Sequence, residues 1–126
     1  MDFSRPIGYL EYNDFNTDGD LKLNLPSFKI PGIFIMIQGS YCGACTRAKP
    51  SFQQLANQGL VQCMTIQLDG ERQTERDVGK ILNKIYPNMK GVPSYVYYKN
   101  SNTKIFYDGD RTVDDMKKFI YNHNTL

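Results

Sequence analysis

Apolar side chains occur along this chain in two patterns, short runs typical of strands and a spacing typical of helices. Residues 32–37 form an unbroken apolar, β-branched run, which is typical of a strand buried on both faces. Residues 61–68 predict a second strand. Residues 95–99 and 104–107 are separated by a short polar turn, which predicts a β-hairpin.

Helical spacing of apolar residues predicts three helices. They cover residues 45–58, where Gly59 ends the pattern, then 75–86, and finally 113–121. A strand–helix–strand unit requires a parallel crossover, whereas a hairpin requires an antiparallel pair. The chain is therefore predicted to have an α/β fold, with a mixed central β-sheet flanked by helices on both faces.

A length of 126 residues fits one domain. Residues 32–122 hold the predicted core elements. Residues 1–31 are rich in Asp, Asn, Gly and Pro, and are interpreted as an N-terminal extension and first strand region broken by turns.

Residues 14–21 match the first eight positions of a calcium-binding loop. Leu25 stands where such a loop needs a bidentate glutamate, and Pro26 prevents a helix from following. We therefore interpret this segment as a turn rich in Asp and Asn.

Composition and charge exclude several classes of function. Charged residues make up 22% of the chain, and the formal net charge is only +2, whereas a nucleic-acid-binding domain usually carries a strongly basic stripe. No apolar run is long enough to span a bilayer, and the N-terminus does not resemble a secretory signal. We expect a cytoplasmic protein that binds neither nucleic acid nor membrane.

Cys42 and Cys45 stand three residues apart, where the first predicted strand passes into the first helix. Free N–H groups and the positive end of the helix dipole stabilise a thiolate at such a position. Cys42 is therefore predicted to be the exposed nucleophile, and Cys45, one turn into the helix, the shielded resolving thiol. A Cys-x-x-Cys pair beside a strand–helix–strand pattern is typical of thiol–disulfide exchange.

A structural zinc site is the main alternative for this pair. Such a site needs four ligands, and Cys63 and His123 are the only further sulfur or imidazole candidates. Cys63 is interpreted as a small buried residue of a strand, and His123 lies among polar residues near the chain end. A cluster bridging two chains through Cys42 is a second alternative. We predict no metal and no other cofactor.

Four features, in order and spacing, resemble a known family. They are Cys42-Gly43-Ala44-Cys45 after a strand, Pro50 within the helix, Gly91-Val92-Pro93-Ser94 before the hairpin, and Tyr107-Asp108-Gly109-Asp110-Arg111-Thr112 before the last helix. On these features, residues 32–120 resemble the thioredoxin superfamily, and within it the thioredoxin and protein disulfide isomerase catalytic domains. The resemblance implies a thioredoxin fold and a dithiol–disulfide oxidoreductase. Its partners are expected to be protein substrates and an unidentified reductase or oxidase.

The resemblance also implies roles for residues around the pair, with Gly43 and Ala44 as supporting residues between the cysteines. It implies a cis bond before Pro93, which presents the Val92 backbone to an extended substrate segment. Tyr41 stands where the family usually has tryptophan, and it can serve as a flat apolar platform. Arg111 matches an isomerase arginine thought to favour the resolving thiolate.

Three departures from the family bear on the mechanism. Met36 stands six residues before Cys42, where the family buries an acid that moves protons for the resolving thiol. Thr65 replaces the nearby lysine, and Ala44 stands where thioredoxin has proline and the isomerases have histidine. The direction of the reaction, as reductase, oxidase or isomerase, therefore stays open.

Two other functions also stay open. The Asp114-Asp115 pair resembles part of the glutathione loop of the glutaredoxins, which suggests a glutathione-dependent enzyme, although acids at a helix start also stabilise the helix. A partner-binding module with weak redox turnover is the other alternative, and Met36 in place of the acid is its main support.

Overall fold

The computed structural model describes residues 2–16, 18, 20–22, 32–100 and 103–124. Its strands are β1 (Gly8–Tyr9), β2 (Ile33–Gln38), β3 (Gln62–Gln67), β4 (Ser94–Asn100) and β5 (Thr103–Tyr107). Its α-helices are α1 (Gly43–Asn57), α2 (Gln73–Arg76), α3 (Leu82–Ile85) and α4 (Val113–Asn124). Two short 3-10 helices cover Tyr12–Asp14 and Asp77–Ile81.

The five strands form one mixed sheet in the order β1-β3-β2-β4-β5. The first three strands in that order are parallel, and α1 forms the crossover between β2 and β3. β4 runs antiparallel to β2, and β5 pairs with β4 as a hairpin. This arrangement confirms the predicted mixed sheet.

Side chains of β2 alternate between two buried clusters, one on each face of the sheet. Phe34 and Met36 belong to the cluster under α1 and α4. Ile33, Ile35 and Ile37 belong to the opposite cluster, which is covered by residues of the α2–α3 region. Since both faces are buried, the strand has no polar alternation, which explains its uniformly apolar sequence.

The prediction of one helix over residues 75–86 is wrong in its continuity. The segment is divided into α2, the 3-10 helix Asp77–Ile81, and α3. Gly79 lies in the 3-10 helix and weakens an α-helical interior, and Ile81 has non-helical angles of φ −109° and ψ 2°. Val78 and Leu82 nevertheless reach the core, so the apolar spacing identified the buried face correctly.

Part of the N-terminal extension joins the sheet, because β1 pairs with β3. Farther along, the Asp18 carboxylate accepts a hydrogen bond of 3.2 Å from the Asp20 N–H, as in an Asx turn. Leu25 and Pro26, on which the rejection of a calcium loop depended, lie outside the described residues. No helix among the described segments has the length and apolar character needed to cross a membrane.

Candidate active site

The cysteine pair lies where β2 ends and α1 begins. Cys42 is the N-cap residue of α1, and its Sγ accepts a hydrogen bond from the Cys45 backbone N–H at 3.1 Å. Cys42 is partly exposed, whereas Cys45 is fully buried. The N-cap position gives Cys42 one of the helix N–H groups that have no partner within the helix.

The pKa of the Cys42 thiol is lowered from its ordinary value. The largest cause is a hydrogen bond from the Cys45 side chain, and partial burial opposes it. The N–H groups of Cys45 and Ala44 lower the pKa further, and the charge of Arg111 adds to their effect. All these groups favour the thiolate at the residue that is accessible to a substrate.

The pKa of the Cys45 thiol is raised to about 11, mainly by burial and then by its interaction with Cys42. A backbone hydrogen bond from Gly39 and the charge of Lys49 act in the opposite direction. Because the two shifts have opposite signs, Cys42 ionises first, and Cys45 stays a thiol in the resting reduced pair.

The loop before β4 lies against the exposed cysteine. Its Val92–Pro93 peptide bond is cis. The Cys42 Sγ lies 3.7 Å from the Val92 carbonyl oxygen, to which the thiol form can donate. Pro93 is buried and Val92 is half-buried. The contact with the Val92 carbonyl brings this loop to the cysteine pair.

Tyr41 lies beside the pair with 68% of its surface exposed. Its ring packs over Gly39, where a Cβ atom would overlap the ring. A side chain at position 39 would therefore require this exposed ring to move. This contact holds an exposed aromatic face next to Cys42, in the place expected from the sequence.

Ser40 and Asp69 form a link that the sequence analysis missed. The Ser40 N–H donates to the Asp69 carboxylate at 3.0 Å, and the Ser40 hydroxyl donates to its other oxygen. Burial raises the pKa of Asp69, but the hydrogen bonds from Ser40 and Gln67 lower it by more. Both residues follow parallel strands that end at the same edge of the sheet. Their positions directly after the two predicted strands could have indicated that they lie close together.

Met36 and Thr65 lie side by side in neighbouring strands on the α1 side of the sheet. Met36 is fully buried in the cluster that also contains Cys45. The Thr65 hydroxyl donates to the Met36 carbonyl oxygen at 2.8 Å and accepts from the Gln38 amide at 3.2 Å. A thioether cannot take up a proton, and the Thr65 hydroxyl is occupied by these two bonds.

Three more polar groups are buried on this face, and none was predicted as a site residue. Lys49 is only 2% exposed, and its Nζ lies 5.7 Å from the centroid of the Phe3 ring. The Tyr95 hydroxyl and the Gln38 Oε1 are buried without a hydrogen-bond partner in the described part of the chain. Buried polar atoms usually have partners, so these two atoms need an explanation.

Arg111 is exposed and lines a shallow cavity of about 250 Å³. Pro93 and Phe106 line the same cavity. The Arg111 charge contributes to the lowered pKa of Cys42.

The structure does not bring the other candidate ligands to the cysteine pair. Cys63 is buried and in register with Phe34, four residues before the end of β2. The His123 ring packs against Phe119, with 4.6 Å between the ring centroids. Within the described ranges, no group of three or more His, Cys, Asp or Glu residues is placed to hold a metal ion.

Comparison with known proteins identified one curated relative and many similar structures. No family model matches the chain. The putative thioredoxin-like protein 453L of Invertebrate iridescent virus 6 is 36% identical over 126 residues, covering 90% of this chain and 84% of that protein.

Two crystal structures illustrate the structural similarity. The J-Trx1 fragment of ERdj5 has a TM-score of 0.65 at 17% identity, covering 95% of this chain, which spans only 52% of that fragment. Thioredoxin f2 of Chlamydomonas reinhardtii has a TM-score of 0.60 at 14% identity, covering 95% of this chain and 98% of that one. At these identities the two structures support the fold alone.

Proposed function

Because this chain belongs to the thioredoxin superfamily, a family of thiol–disulfide oxidoreductases, we propose that its Cys42–Cys45 pair exchanges disulfides with protein substrates. The observation that carries the proposal is the opposite perturbation of the two thiols. The accessible thiol is favoured as a thiolate, and the buried thiol one turn away is held protonated. Division into an attacking and a resolving thiol needs this difference.

The reaction then proceeds in two exchanges. The Cys42 thiolate attacks a substrate disulfide, forming a mixed disulfide and releasing one substrate sulfur as a thiolate. Cys45 loses its proton to water and attacks the Cys42 sulfur. The Cys42–Cys45 bond forms, the Cys42–substrate bond breaks, and the second substrate sulfur leaves as a thiolate. Two electrons pass from the pair to the substrate, and the steps run in reverse when the pair acts as an oxidant.

Residues beside Cys42 serve as the docking surface for the substrate. The Val92 backbone pairs with an extended substrate segment, with Pro93 and the exposed Tyr41 ring beside it. Arg111 favours the thiolate state of the pair from the open side. The partners are proteins with disulfides or accessible thiols, and a separate reductase or oxidase resets the pair. We expect this chemistry to take place in the cytosol, where thiols are kept reduced.

The second exchange is the more demanding step. In the resting reduced pair, with a Cys45 pKa of about 11, only about one molecule in ten thousand carries the Cys45 thiolate at pH 7. The mixed disulfide removes the effect of Cys42 on this pKa, but burial, its largest cause, remains. The high effective concentration of Cys45 beside the mixed disulfide offsets part of this deficit. Stabilisation of the Cys45 thiolate therefore has a large influence on turnover.

Reduction of insulin disulfides tests the proposed function, with dithiothreitol or glutathione as the electron donor. We expect activity with dithiothreitol that is lost in Cys42→Ser and kept in the control Cys63→Ala, because Cys63 is buried away from the pair. Activity with glutathione alone would instead support the glutaredoxin-like alternative. Stable binding of a reduced protein substrate without turnover would support a partner-binding module.

A further inference from the structure

A cavity separate from the cysteine pair lies between the C-terminal end of α1 and helix α4. Its volume of about 380 Å³ is within the range of roughly 300–1,000 Å³ found for small-molecule sites. Leu55, Val61 and Ile120 contribute buried apolar walls. The cysteine pair lies at the other end of α1, a helix of 15 residues that is about 22 Å long at about 1.5 Å per residue. The exchange chemistry therefore does not account for this cavity.

Two apolar side chains that line the cavity are exposed to solvent at its rim. Leu60 is 49% exposed and Tyr121 is 71% exposed. Exposed apolar side chains that border a groove, rather than lie scattered over the surface, are a sign of a binding site. A stable protein interface buries roughly 800 Å² on each partner, whereas these two side chains only flank one cavity. The arrangement therefore favours a compact ligand over a protein partner.

The charged groups that line the cavity are all positive. Lys117 and Lys118 line it, and none of its lining residues in the described part of the chain is acidic. Asp114 and Asp115 lie about one turn earlier in α4, but neither lysine forms an ion pair within the described ranges. A lysine packs its stem on apolar surface and keeps its ammonium group in water, so both charges are expected at the mouth of the cavity. A ligand with an anionic group at that end is therefore favoured.

We propose that this cavity binds a single-chain amphiphile with a carboxylate head group, as in a fatty acid. The hydrocarbon chain packs on Leu55, Val61 and Ile120, and the carboxylate faces the two lysines at the mouth. Burial of methylene groups supplies the affinity, while the pairing of carboxylate and ammonium groups orients the chain. This binding site is additional to the exchange function proposed above and does not depend on it.

Calorimetric titration of the reduced protein with sodium dodecanoate, below the concentration at which it forms micelles, gives a direct test. We expect saturable binding of one molecule per chain. Each fully buried methylene strengthens binding by about fourfold, so decanoate, which has two methylenes fewer, should bind about 5–15-fold more weakly. Dodecyltrimethylammonium has the same chain length and the opposite charge, and it should bind at least tenfold more weakly than dodecanoate.

Substitutions at the rim locate the binding site. Leu60→Asp should weaken dodecanoate binding at least tenfold, because it places a second carboxylate beside the ligand. Tyr12→Asp is the matched control, since Tyr12 is 45% exposed and lines a different cavity. That variant should bind with the wild-type affinity. The double variant Lys117→Gln, Lys118→Gln should weaken dodecanoate binding at least fivefold without weakening the binding of dodecyltrimethylammonium.

Two further measurements separate ligand binding from an effect on the fold. The urea midpoints of the Leu60 variant and of the double lysine variant should stay close to that of the wild type, because these side chains are exposed or half-buried. The alkylation rate of Cys42 should stay unchanged, because the cavity lies at the other end of α1. Weaker dodecanoate binding with a preserved midpoint and unchanged alkylation supports the proposal.

Absence of saturable binding at dodecanoate concentrations up to about 1 mM would overturn the proposal. Equal affinity for dodecyltrimethylammonium would also overturn it, as would equal losses of affinity in Leu60→Asp and Tyr12→Asp. Sedimentation equilibrium provides a last check. A wild-type dimer that Leu60→Asp dissociates would mean that a second copy of the chain covers the cavity, and the proposal would be wrong.

Discussion

At the scale of single residues, a separation of three positions gives the two cysteines opposite properties. Cys42 caps the helix and receives N–H groups that have no other acceptor, whereas Cys45 lies inside the first turn, where burial dominates. The helix thus stabilises one thiolate and shields the neighbouring thiol. This asymmetry predicts which cysteine forms the covalent intermediate.

The roles of the two cysteines can be tested by trapping. Cys45→Ser should accumulate mixed disulfides with substrate proteins, because Cys42 still attacks but nothing resolves the adduct. Cys42→Ser should accumulate at least tenfold less, because Cys45 is buried and burial disfavours its thiolate. Non-reducing electrophoresis after acid quenching measures both, and equal trapping by the two variants would refute the assignment.

At the scale of elements, two glycines show how backbone conformation decides what a position tolerates. Gly32 precedes β2 with φ +151°, and a Cβ atom there would overlap the Tyr98 carbonyl oxygen. Gly79 lies in a 3-10 helix, and its nearest contact for an added Cβ is Leu68 at 4.0 Å. The first glycine is required by the fold, whereas the second only adds freedom to the unfolded chain.

The same substitution at these two positions should have opposite effects on the free energy of unfolding. Gly79→Ala should stabilise the protein by about 0.5–1 kcal/mol, mainly by reducing the entropy of the unfolded chain. Gly32→Ala should destabilise it by about 2 kcal/mol or more, through backbone strain and the clash. Urea titration of both variants measures these changes. A loss of stability in Gly79→Ala would show that its backbone angles do not suit alanine.

At the scale of the whole molecule, buried thiols make stability depend on pH. Burial raises the pKa of Cys63 to about 12, so in the folded protein this thiol keeps its proton after the unfolded chain has lost it. A raised folded pKa means that the stabilisation is complete below the unfolded pKa, near 9, and is lost as pH rises toward 12. Alkaline conditions should therefore weaken the fold.

Removal of Cys63 should reduce this alkaline loss. Cys63→Ala should be less stable than the wild type at pH 7.5 because it leaves a small cavity. Between pH 8 and 10.5 the free energy of unfolding of the variant, relative to that of the wild type, should rise by about 2 kcal/mol. The wild type loses about 1.4 kcal/mol per pH unit above the unfolded pKa of this thiol, and the variant has no thiol there to titrate. Val61→Ala is a change in the same cluster that removes no titrating group. It should lower the free energy of unfolding by the same amount at pH 8 and at pH 10.5. Urea unfolding under reducing conditions measures these free energies. A difference between Cys63→Ala and the wild type that does not change with pH would contradict the prediction.

Local sequence was sufficient for the features that depend on neighbouring residues. The spacing of Cys42 and Cys45 at a helix start follows from the change from an apolar run to helical periodicity, and the structure has the strand and helix where that change predicts them. The unbroken apolar run identified β2 as a strand buried on both faces, and helical spacing in residues 113–121 agrees with the burial of Met116 and Ile120 in α4. These properties depend on contacts within one or two turns of the same element, so they can be read from the order of residues.

Only the tertiary structure decided the features that depend on distant partners. Periodicity shows that residues 75–86 have a buried face, but not that the backbone changes between α and 3-10 geometry to fit the sheet. The Ser40–Asp69 link joins residues 29 positions apart. Cys45 lies in a buried cluster with residues of β2, β4 and α4, and its burial raises its pKa. Neighbours in space, rather than in sequence, determine which polar groups are buried and what they meet, and this is where the chemistry of the resolving thiol was decided.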